Sequence, residues 1–278
     1  MAQFFIPPEE TAYLQSYAAN KYGVSPRFTT HYNYIDCLCT LTKGVKIKYN
    51  NPYNKNQDLE KIVEKTGLIS AMDLSIRAEI QVKNTLPEYC EASLPWIPIK
   101  IYYANFHRAL RLAYLIDPQD SSLQLSHSRL AEKLTRLLET GALSFSNPLL
   151  NTVYSIDELQ NSVTSQGELL RGQYDVEAVL KSILKHTSGY ILENKKRTDK
   201  WNLRKPIHQE KKEQFSKNTK VSIFHHQMAV RERVNYKNMN YIEGVPTEYL
   251  SGYFDKFIFY GEQFGASLDE LYEKMTSS

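Results

Sequence analysis

The stretch "IKIYYANFHRALRLAYLI", residues 99–116, decides the fold class of this chain. Its apolar residues recur every three or four positions, which is the spacing of one helix face, and further apolar side chains widen that stripe. A helix that is apolar over most of its circumference is surrounded by other elements. We therefore predict a central, buried helix here. Among its core positions we single out Tyr103, His107 and Arg108 as candidate site residues.

Length and composition set broad limits on the protein class. The chain has 278 residues, of which 42% are hydrophobic, enough for one large domain with a real core. No apolar run approaches the roughly 18 residues that span a bilayer, and "MAQFFIPPEE" lacks the features of a signal peptide. We expect a cytoplasmic protein with no membrane segment. Cys37, Cys39 and Cys90 do not make a four-ligand set, so we expect no metal and no cofactor.

Helical patterns continue on both sides of the central stretch. We predict a break near Gly67, and a helix that Ser126-His127-Ser128 opens and Gly141 ends. The last pattern is predicted to be a long antiparallel partner of the central helix, and "TKGVKIKYNN" (42–51) to be a short exposed strand. The sequence therefore predicts a mainly α fold, an antiparallel helical bundle. Its further helical patterns cover 7–23, 59–84 with Asp58 as N-cap, 126–141, 157–170, 175–186, 221–244 and 247–275.

Charge is concentrated in residues 181–220, which we name the basic segment. It holds twelve Lys and Arg against four Asp and Glu, a net charge of +8, and because the whole chain carries +3 the remainder carries −5. A basic patch on an acidic body favours a polyanionic partner. A solvated insertion whose charge only maintains solubility is the alternative interpretation. Because apolar periodicity is weak, we predict mostly loop over 185–220.

Cations mixed with aromatic residues are typical of segments that hold phosphates and stack on bases. The basic segment offers this mixture around Trp201. Its candidate nucleic-acid-binding residues are Lys195, Lys196, Arg197, Trp201, Arg204 and Lys205.

Three pieces of the chain, taken in order, resemble the HEPN superfamily and within it the YaaC-like branch. These are "YYANFHRALRLAYL" (102–115), "SHSRLAEKL" followed by "TGAL" (126–143), and "RERVNY" (231–236). HEPN proteins are compact antiparallel helical domains of prokaryotic toxin and defence systems. The resemblance covers about residues 99–143 and 224–275. It implies an N-terminal extension over 1–98 and a HEPN-like domain over 99–278 with a large basic insertion at about 144–220.

The resemblance implies a possible activity, because catalytic HEPN proteins are metal-independent ribonucleases. Their signature is an Arg followed, after four to six residues, by a His. After Arg231 those positions hold Tyr236, Lys237 and Asn238, so the signature is absent here. Two histidines remain as partners: His226, five residues before Arg231, and His107 on the central helix. In either pair the Arg would hold the phosphate and the His would act as acid or base.

The stretch "RERVNYK" (231–237) also predicts anion binding. Arg233 and Lys237 have the i, i+4 spacing that places like charges side by side, which is unfavourable unless an anion lies between them. Asn235 and Tyr236 complete this candidate set. The alternative is that Arg231 only pairs with an acid, such as Asp255, inside the bundle.

Three functions follow from these patterns. The first is an RNA- or nucleotide-binding component of a prokaryotic defence or toxin-antitoxin-type system, with a partner protein from the same system. The second is a metal-independent ribonuclease that departs from the family signature. The third is a protein–protein interaction module with a basic docking segment. The resemblance further implies a homodimer, and the setting in defence comes from the resemblance alone.

Overall fold

The structure is a computed structural model that describes residues 27–50, 59–85, 96–117, 126–162, 175–236 and 247–277. Side chains are described over 34–50, 60–81, 96–117, 126–162, 175–232 and 254–277. The protein is mainly helical, as predicted. The predicted helix before Gly23, the N-cap Asp58 and Cys90 lie outside these residues.

Nine helices and four short strands make up the described chain. The helices are α1 (Arg27–Thr42), α2 (Leu59–Thr85), α3 (Trp96–Ile116), α4 (His127–Glu139), α5 (Ile156–Asn161), α6 (Val176–Thr198), α7 (Pro206–Asn218), α8 (Ile223–Tyr236) and α9 (Thr247–Thr276). The strands are β1 (Ile47–Tyr49), β2 (Leu143–Phe145), β3 (Tyr154–Ser155) and β4 (Lys220–Val221), with a 3₁₀ turn at Pro148–Asn151.

Helix α3 lies at the centre of the molecule. Fourteen of its 21 residues are buried, and it contacts α2, α4, α8 and α9. Pro98 lies in its first turn, where a missing backbone N–H removes no intrahelical hydrogen bond. The prediction of a central helix over 99–116 is confirmed.

Helix α2 packs antiparallel to α3. Asp73 Oδ2 accepts a hydrogen bond from Arg108 Nη2 at 2.6 Å, and Thr66 Oγ1 accepts one from Arg111 Nη1 at 3.4 Å. Residue numbers therefore fall along α2 as they rise along α3. Helix α2 runs uninterrupted through Gly67, so the predicted break there is wrong.

Helix α9 also packs against α3, but in the parallel sense. Gly261 approaches Ile101, and a Cβ on Gly265 would lie 2.8 Å from Asn105 Oδ1. Further along, Asp269 Oδ1 accepts from Arg111 Nη2 at 2.7 Å. Because contacts advance together along both helices, the predicted antiparallel pairing of α9 with the central helix is wrong.

The basic segment is largely helical, which corrects the prediction of mostly loop over 185–220. Helix α6 begins at the N-cap Asp175, whose carboxylate accepts from Glu177 N at 3.0 Å. Val179, Leu180, Ile183 and Leu184 bury one side of it in the same core as α3. Helix α7 begins at Pro206 and buries little beyond Ser216. The C-terminal part of α6 and most of α7 carry mainly polar residues. Apolar periodicity therefore gives only a weak signal there.

Two short antiparallel strand pairs accompany the helices. Strands β1 and β2 pair Ile47 with Phe145 and Tyr49 with Leu143, which confirms the predicted strand, although Ile47 is buried rather than exposed. Strands β3 and β4 pair Tyr154 with Val221. Among the described helices, none is long and apolar enough to cross a membrane.

Candidate anion-binding site

A group of aromatic and titratable side chains gathers where α3, α4 and α8 meet. Helix α3 contributes four of them from positions i, i+1, i+4 and i+5, which share one face of a helix. Helix α4 and helix α8 contribute one each. We name the group the Arg231 cluster; it consists of Tyr102, Tyr103, Phe106, His107, His127 and Arg231.

Arg231 lies against the two tyrosines of α3. Its Nη2 donates to the Tyr103 hydroxyl at 3.2 Å, and its guanidinium carbon is 5.9 Å from the centre of the Tyr102 ring and 5.6 Å from that of Tyr103. Both distances are within the range of cation–π attraction. The acid beside it is its chain neighbour Glu232, whose Oε1 is 3.7 Å from Nη1. The Nε atom is buried and has no hydrogen-bond partner in the described structure.

Helix α4 brings His127 to the same group. The Ser126 hydroxyl caps this helix by accepting from Arg129 N at 3.4 Å, and Gly141 follows its end with φ +70°, as predicted. His127 is therefore the first helical residue. Its ring centre is 4.3 Å from that of Phe106.

A hydrogen bond joins Tyr102 of α3 to His127 of α4. The Tyr102 hydroxyl is 2.6 Å from His127 Nδ1. Tyr102 is buried, and burial raises the pKa of its hydroxyl above the ordinary value, so it keeps its proton. When the hydroxyl donates to Nδ1, the imidazole proton lies on Nε2.

His127 is held in the neutral form. Burial, followed by the charges of Arg231 and His107, lowers its pKa to about 4. At pH 7 the imidazole is therefore neutral, and Arg231 is close enough for its charge to contribute to that shift.

His107 lies at the edge of the cluster. Its ring centre is 6.4 Å from Tyr103 and 5.3 Å from Phe106, and its buried Nδ1 has no partner among the described atoms. Burial and the charge of Lys65 lower its pKa, while Glu64 acts in the opposite direction. Tyr103 lies between His107 and Arg231, contacting both.

His226 lies on another side of α8. Its Nδ1 is 3.3 Å from the Thr187 hydroxyl oxygen on α6. Together with Tyr102, Gln227 and Tyr260 it lines a small cleft between α1, α3, α8 and α9. The structure thus brings His107 and His127, but not His226, into the group around Arg231.

The prediction that Arg108 binds an external anion is wrong. Its Nε donates to Asp269 Oδ2 at 2.8 Å, and its Nη1 and Nη2 donate to the two oxygens of Asp73 at 3.2 and 2.6 Å. These hydrogen bonds raise the pKa of Arg108 against the opposing effect of burial, which is the largest cause acting on it. With two carboxylates already bound, the guanidinium has no free face for an external anion.

The predicted cations of the basic segment divide into two sets. Lys195 Nζ is 3.1 Å from Asp199 Oδ2, and Lys196 Nζ is 3.4 Å from Glu193 Oε1, so these two lysines are paired along helix α6. A second set is exposed and has no ion pair within the described chain. It consists of Arg197, Lys200, Arg204, Lys205, Lys211 and Lys217.

The prediction that Trp201 stacks on a nucleic-acid base is wrong. Only 9% of it is exposed, and its ring packs edge-on against Phe215 with centres 5.9 Å apart. Stacking on a base needs an open ring face. Trp201 instead joins the turn after α6 to helix α7.

Four predicted residues cannot be placed in a site. Arg233, Asn235 and Tyr236 lie on helix α8, but their side chains are outside the described residues, and Lys237 is outside them altogether. Within the part of the chain that the structure describes, no group of three or more His, Cys, Asp or Glu could hold a metal ion. No family model, no curated protein and no solved structure matches the chain.

The sequence did not predict His127 as a site residue. The only signal is its position between Ser126 and Ser128 at the start of a helix, which by itself indicates a cap. Its role depends on the packing of α4 beside α3 and α8, and no residue spacing contains that information.

Proposed function

We propose that the protein is a HEPN-like RNA- or nucleotide-binding component of a prokaryotic defence or toxin-antitoxin-type system. The observation that supports RNA binding is the set of six exposed, unpaired cations on the basic segment. The defence setting, a cytoplasmic homodimer and a partner protein from the same system rest on the sequence resemblance.

The arrangement of these cations favours contact with phosphates. Arg197 and Lys200 lie at the end of α6, while Arg204 and Lys205 precede α7, so a turn of a few residues gathers four charges. Such charges bind a nucleic-acid backbone by releasing its counterions. Because Trp201 is buried, it does not stack on a base of the RNA. We therefore expect RNA binding with little sequence preference and a steep dependence on salt concentration.

The test is anisotropy of a labelled 20-nucleotide single-stranded RNA, titrated with the full chain at several salt concentrations. The variant replaces Arg197, Arg204 and Lys205 together with Gln. For single-stranded RNA the logarithmic salt slope is about −0.7 per neutralised phosphate, so losing three contacts flattens it by about two. Affinity at low salt falls at least about tenfold.

The matched control removes three exposed charges elsewhere. Lys48, Arg77 and Arg136 lie on β1, α2 and α4, and each is replaced with Gln. We expect the control to bind RNA as the wild type does. Equal weakening in both triple variants would reject the basic segment as the RNA surface. Absence of any RNA binding would leave a protein partner, the interaction-module alternative, as the function of the segment.

The ribonuclease alternative has one observation in its favour. The structure gathers Arg231, His127 and His107 with two tyrosine hydroxyls, groups that stabilise phosphate charge and transfer protons. Its test is incubation of RNA with the full chain in EDTA. Cleavage that disappears in Arg231→Ala would establish the activity, whereas RNA that stays intact would reject it.

A further inference from the structure

Arg231 differs from two other arginines that are buried to a similar extent. The exposed fractions of the side chains are 13% for Arg231, 12% for Arg108 and 8% for Arg111. Arg108 and Arg111 each have a carboxylate oxygen within 2.8 Å. For Arg231 the carboxylate of Glu232 is 3.7 Å away, beyond hydrogen-bond length. Buried charges are normally paired and hydrogen-bonded, so the pairing of Arg231 is incomplete.

Two neutral donors lie beside this guanidinium. The Tyr103 hydroxyl oxygen accepts from Arg231, which leaves the hydroxyl proton to donate, and no acceptor for it is described. The His127 imidazole is the second, since its Nε2 carries the proton when Nδ1 accepts from Tyr102. One cation and two N–H or O–H donors without a hydrogen-bonded carboxylate form a set that suits an oxyanion.

Two half-buried rings, Phe106 and His107, belong to the same group. Phe106 lies 4.3 Å from the His127 ring, and His107 stacks beside Tyr103. Aromatic faces next to a phosphate-binding cation are the surroundings that hold the base or sugar of a nucleotide. The group thus offers both polar and apolar contacts.

The Arg231 cluster is remote from Lys220, the last residue of the basic segment. His127 starts helix α4 beside Arg231, whereas Glu139 ends the same helix and pairs with Lys220 of the basic segment, with 3.7 Å between Glu139 Oε1 and Lys220 Nζ. Twelve residues separate the two ends, about 18 Å along a helix axis. One phosphate cannot contact both Arg231 and Lys220.

We propose that the Arg231 cluster is a discrete site for the phosphate group of a nucleotide, held by Arg231, Tyr103 and His127. This deepens the proposed RNA or nucleotide binding and rests on it. A free nucleotide and a phosphate of an RNA strand present the same chemistry. The experiment therefore tests both a free nucleotide and a five-nucleotide RNA.

The test is calorimetric titration of the full chain with adenosine 5′-monophosphate and with adenosine as the matched ligand without phosphate. We expect the monophosphate to bind at least about tenfold more tightly, since charge-assisted hydrogen bonds distinguish the two. Arg231→Gln should lose at least about tenfold in affinity for the monophosphate. Arg136→Gln, an exposed position on α4, should bind as the wild type does.

A second variant and a spectroscopic measurement distinguish the loss of a phosphate contact from misfolding of the protein. Tyr103→Phe keeps the ring and removes only the hydroxyl, and it too should weaken the monophosphate complex. In the wild type, the imidazole nuclear magnetic resonance signals of His127 should shift on binding, and its pKa should rise because a phosphate stabilises the charged ring. A residue with a purely structural role would show no such rise.

The outcomes separate this site from RNA binding in general. Equal affinity for adenosine and its monophosphate, or unchanged monophosphate binding in a folded Arg231→Gln variant, overturns the site and leaves RNA binding by the basic segment intact. If only a five-nucleotide RNA binds and Arg231→Gln weakens it, the phosphate belongs to RNA. The triple variant of the basic segment should weaken RNA binding and leave the monophosphate affinity unchanged.

Discussion

At the scale of single residues, buried polar side chains carry most of the information about this protein. Arg108 and Arg111 share the carboxylate of Asp269, and Arg111 also lies 3.6 Å from the centre of the Tyr272 ring. Those contacts explain why both cations stay inside the bundle. Arg231 lacks such a carboxylate, and this contrast, rather than its presence on a helix, marks it as a site residue.

His225 gives a prediction about pH. It is 3% exposed, its Nδ1 accepts from Ser222 N at 3.4 Å, and burial lowers its pKa to about 4. The unfolded chain takes up a proton near pH 6.5 and the folded chain only near 4, so stability falls as pH decreases between these values. The loss is on the order of 3 kcal/mol for one such histidine. Urea unfolding at pH 7.5 and pH 4.5 measures it.

The matched variants are His225→Gln and His186→Gln. His186 is exposed on α6, so its replacement should retain the loss of stability that the burial of His225 causes. His225→Gln should flatten it, although His127 still contributes in the same direction. If the free energy of unfolding of His225→Gln depended on pH as it does in the wild type, the pKa of His225 would not be lowered by folding.

At the scale of elements, the pairing of α3 with α9 depends on two glycines. Gly261 and Gly265 let α9 approach α3 closely, since a Cβ at either position would meet Ile101 or Asn105. The apolar stripe of α9 predicts a helix but says nothing about its direction. Close backbone approach and the hydrogen bonds of Asp269 select the parallel arrangement.

Gly261→Ala should destabilise the protein by about 1–3 kcal/mol, because the added methyl group overpacks the contact with Ile101. Gly67→Ala on α2 is the matched control. A Cβ there meets nothing within 4 Å, so the substitution should stabilise by about 0.5–1 kcal/mol through helix propensity. Thermal unfolding of both variants tests the pair, and destabilisation by both would contradict the close-approach explanation.

At the scale of the whole molecule, the basic segment and the central helix share one core. Helix α6 buries its first half against α1 and α8, and its apolar residues join the cluster that surrounds α3. The Tyr34 hydroxyl and the Ser182 hydroxyl, 3.0 Å apart, link α1 to α6 in that core. The basic segment is thus continuous with the rest of the helical core in space.

Leu184→Ala should therefore weaken the entire fold. Leu184 is fully buried on α6, and truncating such a leucine costs about 2–5 kcal/mol. Ile207→Ala, at a position 58% exposed on α7, should change stability by less than about 0.5 kcal/mol. Far-ultraviolet circular dichroism and tryptophan fluorescence should report one shared transition at a lower denaturant concentration. Separate transitions would mean that α6 unfolds independently of α3.

The sequence by itself determined the helical class, the central position of 99–116, the caps at Ser126 and Gly141, and the strand at Ile47–Tyr49. These features depend on periodicity and local backbone chemistry, which neighbouring residues specify. Only the tertiary structure decided the parallel direction of α9, the burial of Trp201, the carboxylates bound to Arg108 and the approach of His127 to Arg231. Each of these depends on contacts between residues far apart in the chain, where spacing along the sequence carries no geometric constraint.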